Sequence, residues 1–140
     1  MKNFKKLLSE ILDVESETTE DIKPSKENDN FFQLSRTYES KVGDDTITTV
    51  IDHSHSSNKA HIKFYVNGAV TKFNPKGTHE TLQVYNTVLK HIKHHMENAP
   101  NEVKAISYSY IDTPEGNKKN KVYQMLGKKF NVPLEPSKTQ

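Results

Sequence analysis

Cysteine is absent from this chain of 140 residues. That excludes disulfides, thiolate metal sites and a cysteine nucleophile, and it is compatible with a reducing compartment. No apolar run approaches the roughly 20 residues that span a bilayer, and the N-terminus lacks the apolar stretch and small-residue cleavage site of a secretory signal. A soluble protein that stays in the cytoplasm where it is made, with no membrane partner, is expected. An excess of one charge is lacking too: 20 Lys plus Arg stand against 18 Asp plus Glu, a net charge of +2. Global charge therefore gives no case for nucleic acid or a membrane surface, and any electrostatic argument is local. Apolar residues are scarce at 32% of the chain, which predicts one modest core with flexible flanks rather than two domains.

What is present begins at the N-terminus. Phe4, Leu7, Leu8, Ile11 and Leu12 recur at helical spacing among Lys2, Lys5, Lys6, Ser9 and Glu10, which predicts an amphipathic helix over residues 1–13. Residues 14–30 carry six acidic side chains, two lysines and Pro24, with only Val14 and Ile22 to bury. Such a stretch does not offset the entropy of ordering itself, and a mobile acidic linker is expected.

Residues 31–134 read as an α+β domain. Phe32, Leu34 and Tyr38 alternate with Gln33 and Arg36 ahead of the Gly43-Asp44-Asp45 turn, and a β-branched run over 46–51 follows. Ile62, Phe64 and Val66 alternate with Lys63 and Tyr65. Asn67-Gly68 then supplies the two residues tolerant of positive φ that a tight hairpin needs, with 69–73 as the returning strand. Pro75, lacking an N–H, closes the meander. Thr78 is the candidate N-cap of a long helix reaching Asn98, its apolar stripe made by Leu82, Tyr85, Leu89, Ile92 and Met96. Residues 103–110 read as a strand, and Thr113-Pro114-Glu115 opens a short helix that Gly127 ends. Residues 130–134 read as an edge strand and 135–140 as a flexible tail. The expected architecture is an antiparallel or mixed sheet with one long and one short packed helix.

That order of elements resembles the C-terminal half of the GNAT-type N-acetyltransferase fold, as does the segment 120–130 with Tyr123, Leu126, Gly127 and Phe130. It is also similar to uncharacterised GNAT-like proteins of T4-type tailed bacteriophages, through Gly77-Thr78 and the run Val84-Tyr85-Asn86-Thr87-Val88. The resemblance covers roughly residues 31–130. It implies that amides of a loop at the start of the long helix hold the pyrophosphate of acetyl-CoA, with Lys76, Gly77 and Thr78 as the cofactor-binding residues, and that Tyr123 protonates the departing thiolate. The loop departs from the pattern: it has one glycine, Pro75 removes a donor, and Glu80 puts negative charge beside the anion. Residues 69–73 hold no carboxylate to act as base. A chain without cofactor, in which Tyr123 simply packs under the sheet, is the other reading.

Two further groupings draw notice. His91, His94 and His95 have spacings that place imidazoles near one another, yet they fall off the apolar stripe, so a solvated, mildly basic helix face is expected and no metal. Lys118, Lys119, Lys121, Lys128 and Lys129 make the last helix basic, which suits an acidic protein or a nucleic-acid backbone, or a solvated face paired with the acidic linker.

Met1-Lys2-Asn3-Phe4 followed by Leu8-Ser9-Glu10 resembles the capsid-targeting peptides of phage internal proteins, which carry an aromatic fourth residue and end at a Leu-x-Glu cleavage site. Ile11 departs from it, because a small residue normally follows the cut. The resemblance implies that Phe4, Leu7, Leu8 and Ile11 lay an apolar helix face on a phage or host protein. The leading expectation is a non-catalytic GNAT-like phage protein that acts by binding, in the host cytoplasm or packaged in the virion interior. An acyl-CoA-dependent N-acetyltransferase is the alternative, and a binder working through the basic last helix the second.

Overall fold

The computed structural model describes residues 22–68, 78–99 and 101–139. Its elements run β1 (Lys26–Asp29), β2 (Gln33–Val42), β3 (Asp45–Ser54), β4 (Lys59–Val66), α1 (Thr78–Glu97), β5 (Ala105–Ile111), α2 (Pro114–Phe130) and β6 (Leu134–Thr139). They build one six-stranded mixed sheet, with strands side by side in chain order. The expected α+β class with two packed helices is what is observed, while the helix predicted over 1–13 lies outside the described residues.

Strict alternation makes the meander. Leu34, Arg36 and Tyr38 on β2, Ile47, Thr49, Ile51 and His53 on β3, and Ala60, Ile62 and Phe64 on β4 are all buried, and their neighbours face the opposite side. The strands β1 to β4 pair antiparallel. Gly43 turns the chain at φ 62°, and Asn67 and Gly68 sit at φ 55° and 75°, a left-handed backbone that glycine adopts for want of a Cβ and asparagine tolerates. The strand expected to return over 69–73 lies outside the described residues.

β4 to β5 and β5 to β6 are parallel joins, each crossed by one helix. Two right-handed crossovers stepping the same way along a sheet put both helices on one face. Side chains from both helices accordingly join a single core with Ile51, Ile62, Phe64 and Ile106. The other face is polar, and one row of paired positions crosses it as Ser35, Asp52, His61, Ser107 and Glu135.

Several boundaries differ from expectation for physical reasons. The sheet starts inside the stretch read as linker, because Lys26–Asp29 pairs with β2 although all four side chains are exposed. Gly127 does not end α2. It is the point where helix and β6 touch, since a Cβ there would stand 2.6 Å from the Leu134 side chain. The helix stops at Asn131, which takes the left-handed conformation at φ 54°. The final strand is therefore Leu134–Thr139 rather than 130–134, and most of the predicted tail is in the sheet. Pro136 is tolerated because β6 is an edge strand that has, among the described residues, no outer neighbour to receive its missing N–H.

Candidate functional site

The parallel join between β4 and β5 is short. Register holds only over Lys59–Ala105, Ala60–Ile106 and His61–Ser107, although β4 continues to Val66 and β5 to Ile111. Beyond that point the two strands are not paired, and α2 supplies partners to β4 instead. The Tyr123 hydroxyl accepts from the Phe64 N–H at 3.3 Å, and Lys119 Nζ donates to the Phe64 carbonyl at 2.8 Å.

Tyr123 is held there by stacking. Its ring lies 4.2 Å from Tyr108 at 14° and 5.1 Å from Phe64, and the Tyr108 hydroxyl donates to Asn120 one turn earlier on α2. Burial pushes the Tyr123 phenol well above its ordinary range, because a phenolate there would lose its hydration. Lys119 passes over the rings of Phe64 and Tyr65, and burial lowers its ammonium to about 8. The reading of Lys119 as part of a solvated basic face is thus overturned, while Lys118 and Lys121 are exposed as expected. The signal was present: Lys119 stands three, four and seven residues before Val122, Tyr123 and Leu126, on their stripe.

Of the other predicted positions, Lys76, Gly77, Phe4, Leu7, Leu8 and Ile11 lie outside the described residues, and Thr78 is the first residue of α1. Tyr123 and Lys119 are brought together at Phe64, and Lys118 and Lys121 point away from them.

A second polar cluster was not foreseen. His91 and His95 are 1% exposed and face the sheet, which corrects the expectation of a solvated histidine face. The buried residues of α1, from Thr87 round to Asn86, cover about 260° of its circumference at 100° per residue, since the helix touches β2, β3 and α2. His91 lies between two hydroxyls, Thr49 Oγ1 at Nδ1 and Ser40 Oγ at Nε2, both at 2.8 Å. Arg36 Nη1 donates to His95 Nδ1 at 3.1 Å, so the neutral ring carries its proton on Nε2, which stands 2.8 Å from His53 Nδ1. The relay ends at His53 Nε2, which is buried with no hydrogen-bond partner. Burial holds His91 down at about 4 and His95 at about 3. The alternation of β2 and β3 could have located the cluster, because Arg36, Thr49 and His53 occupy the parity of Leu34, Ile47 and Ile51.

These rings do not assemble a metal centre: among the described residues no group of three or more suitable side chains could hold an ion, and the Arg36 cation beside His95 opposes one. Among the described residues no helix is long and apolar enough to cross a membrane. No family model matches the chain, and neither a curated protein nor a solved structure does.

Proposed function

We propose that this chain is a non-catalytic protein of GNAT-like architecture that acts by binding. The observation that carries the reading is the occupation of Phe64: its N–H and carbonyl, on the strand segment that β5 leaves unpaired, already serve Tyr123 and Lys119. A cofactor entering between the strands would have to displace both. Tyr123 is also 3% exposed and packed between aromatic rings, which favours the packing role over proton donation. In this reading the chain belongs to a tailed bacteriophage, and the targeting-like residues 1–10 carry it from host cytoplasm into an assembling head.

The acetyltransferase alternative draws support from the three-pair join of β4 with β5, which leaves the two strands unpaired at the end where Tyr123 stands. Binding through the basic last helix now rests on Lys118, Lys121, Lys128 and Lys129, because Lys119 is turned inward.

Calorimetric titration of the full-length protein with acetyl-CoA and CoA tests the first two readings. No heat at millimolar ligand is the expected outcome. Micromolar binding lost in Lys76→Glu would instead make the chain a cofactor-dependent enzyme, with Lys76 at the pyrophosphate.

A further inference from the structure

Beside the middle turns of α1, a cavity of about 150 Å³ lies between the helix and the last residues of β2. An engineered apolar cavity of roughly that volume admits a ring of about six heavy atoms. This one is not apolar. Asn86 lines it, is only 4% exposed, and its carboxamide has no hydrogen-bond partner among the described residues. The amide is not sealed off, since the buried unpartnered side-chain atoms among the described residues are His53 Nε2 and Asn101 Oδ1, so it is open to an occupant of the cavity that bonds to it.

Ser40 adds a donor. Thr49 Oγ1 is fully buried and its one hydrogen-bond partner is His91 Nδ1. If His91 donated to it, the threonine proton would be stranded. Thr49 therefore donates to Nδ1, His91 Nε2–H donates to Ser40 Oγ at 2.8 Å, and the Ser40 proton is left for the cavity. This tautomer also removes His91 as a base for Ser40, so the pair is not a hydrolytic dyad.

The rest of the lining sets the ligand's sign and size. Lys41 contributes a cation, Gln83 a second carboxamide, and among the described residues no carboxylate lines the cavity; Ile22 and Val42 supply a small apolar wall. We infer that this cavity binds a small aliphatic monocarboxylate, of about three to five carbons, with its carboxylate on Asn86 and Ser40 and its alkyl end on Ile22 and Val42.

The probes are sodium propionate and its neutral counterpart propionamide, titrated into the full-length protein and followed by amide NMR. Propionate is expected to shift the Asn86 side-chain NH₂ and the Ser40 amide saturably. Ser40→Ala should weaken it roughly tenfold, the size of one lost charge-assisted hydrogen bond. Lys41→Gln, an exposed change that leaves the core untouched, should weaken it by up to about fivefold. An equal response to propionamide, or no saturable response to either probe in tens of millimolar, would overturn the inference and leave the cavity to ordered water.

Discussion

Arg36 on β2 holds the end of α1 through His95. Its Nη1 stands 3.1 Å from the ring Nδ1, and the same guanidinium reaches the carbonyls of His95 at 3.4 Å and Asn98 at 3.0 Å. A helix normally leaves its last carbonyls to water or to a capping residue; here a neighbouring strand provides a cation, and Glu27 on β1 balances it at 2.6 Å. Three elements are tied at one side chain.

Removing that tie should be costly. Arg36→Met is expected to lower stability by about 3–5 kcal/mol, because it strands two carbonyls and an imidazole nitrogen in a buried site. Urea denaturation measures it, and a loss under about 1 kcal/mol would mean that water replaces the guanidinium.

Acid should unfold the protein through its histidines. The rings of His91 and His95 titrate near 6.5 when unfolded but are held at about 4 and about 3 when folded. Unfolding therefore takes up protons below about pH 6.5, and stability falls as pH drops from there towards 4. Two such groups give at most about 2.7 kcal/mol per pH unit. Lys119, held at about 8 in the folded protein, makes stability fall as pH drops from 9 towards 8. Denaturation midpoints should therefore be flattest at about pH 7.5 and fall again below pH 6.5, with a shallower acid fall in His91→Gln. Midpoints unchanged down to pH 5 would contradict the buried neutral rings.

The two glycines of α2 should respond unequally to alanine. A Cβ at Gly116 would lie 1.7 Å from the Ile111 carbonyl oxygen, which is backbone, whereas the nearest atoms to one at Gly127 belong to the Leu134 side chain. Gly116→Ala should cost more than about 3 kcal/mol or prevent folding. Gly127→Ala should cost about 1–2 kcal/mol, since leucine can rotate and alanine favours helix. Thermal melts of both variants decide the order.

Tyr123→Phe isolates the hydroxyl on Phe64. Stability should fall by about 1–2 kcal/mol, and the Phe64 amide should exchange with solvent faster while its neighbours on β4 do not. Unchanged exchange at Phe64 would place the hydroxyl elsewhere.

Much of this architecture is legible in the chain. Alternation around Ile47, Ile51, Ile62 and Phe64 marks the meander, and Thr113-Pro114 marks the start of α2, where Thr113 Oγ1 accepts from Gly116 N–H at 3.0 Å. β1 and β6 were hidden because edge strands with exposed side chains need only backbone pairing, which leaves no apolar pattern in Lys26–Asp29 and little in Leu134–Thr139. The polar core was hidden for a different reason. His91, His95, Arg36 and Lys119 are types usually found outside, and only knowledge of their partners shows that each can be buried.

The three-pair join of β4 with β5 also bears on how the chain folds. Strands β1 to β4 are connected by short turns, so their contacts close small loops and should form early. Joining β5 and β6 requires α1 and α2 to be laid down first, across a seam only three residues long. The α1-β5-α2-β6 half should therefore join the meander late around their one shared core, and slow exchange should be strongest in β2 and β3 and weaken towards β6.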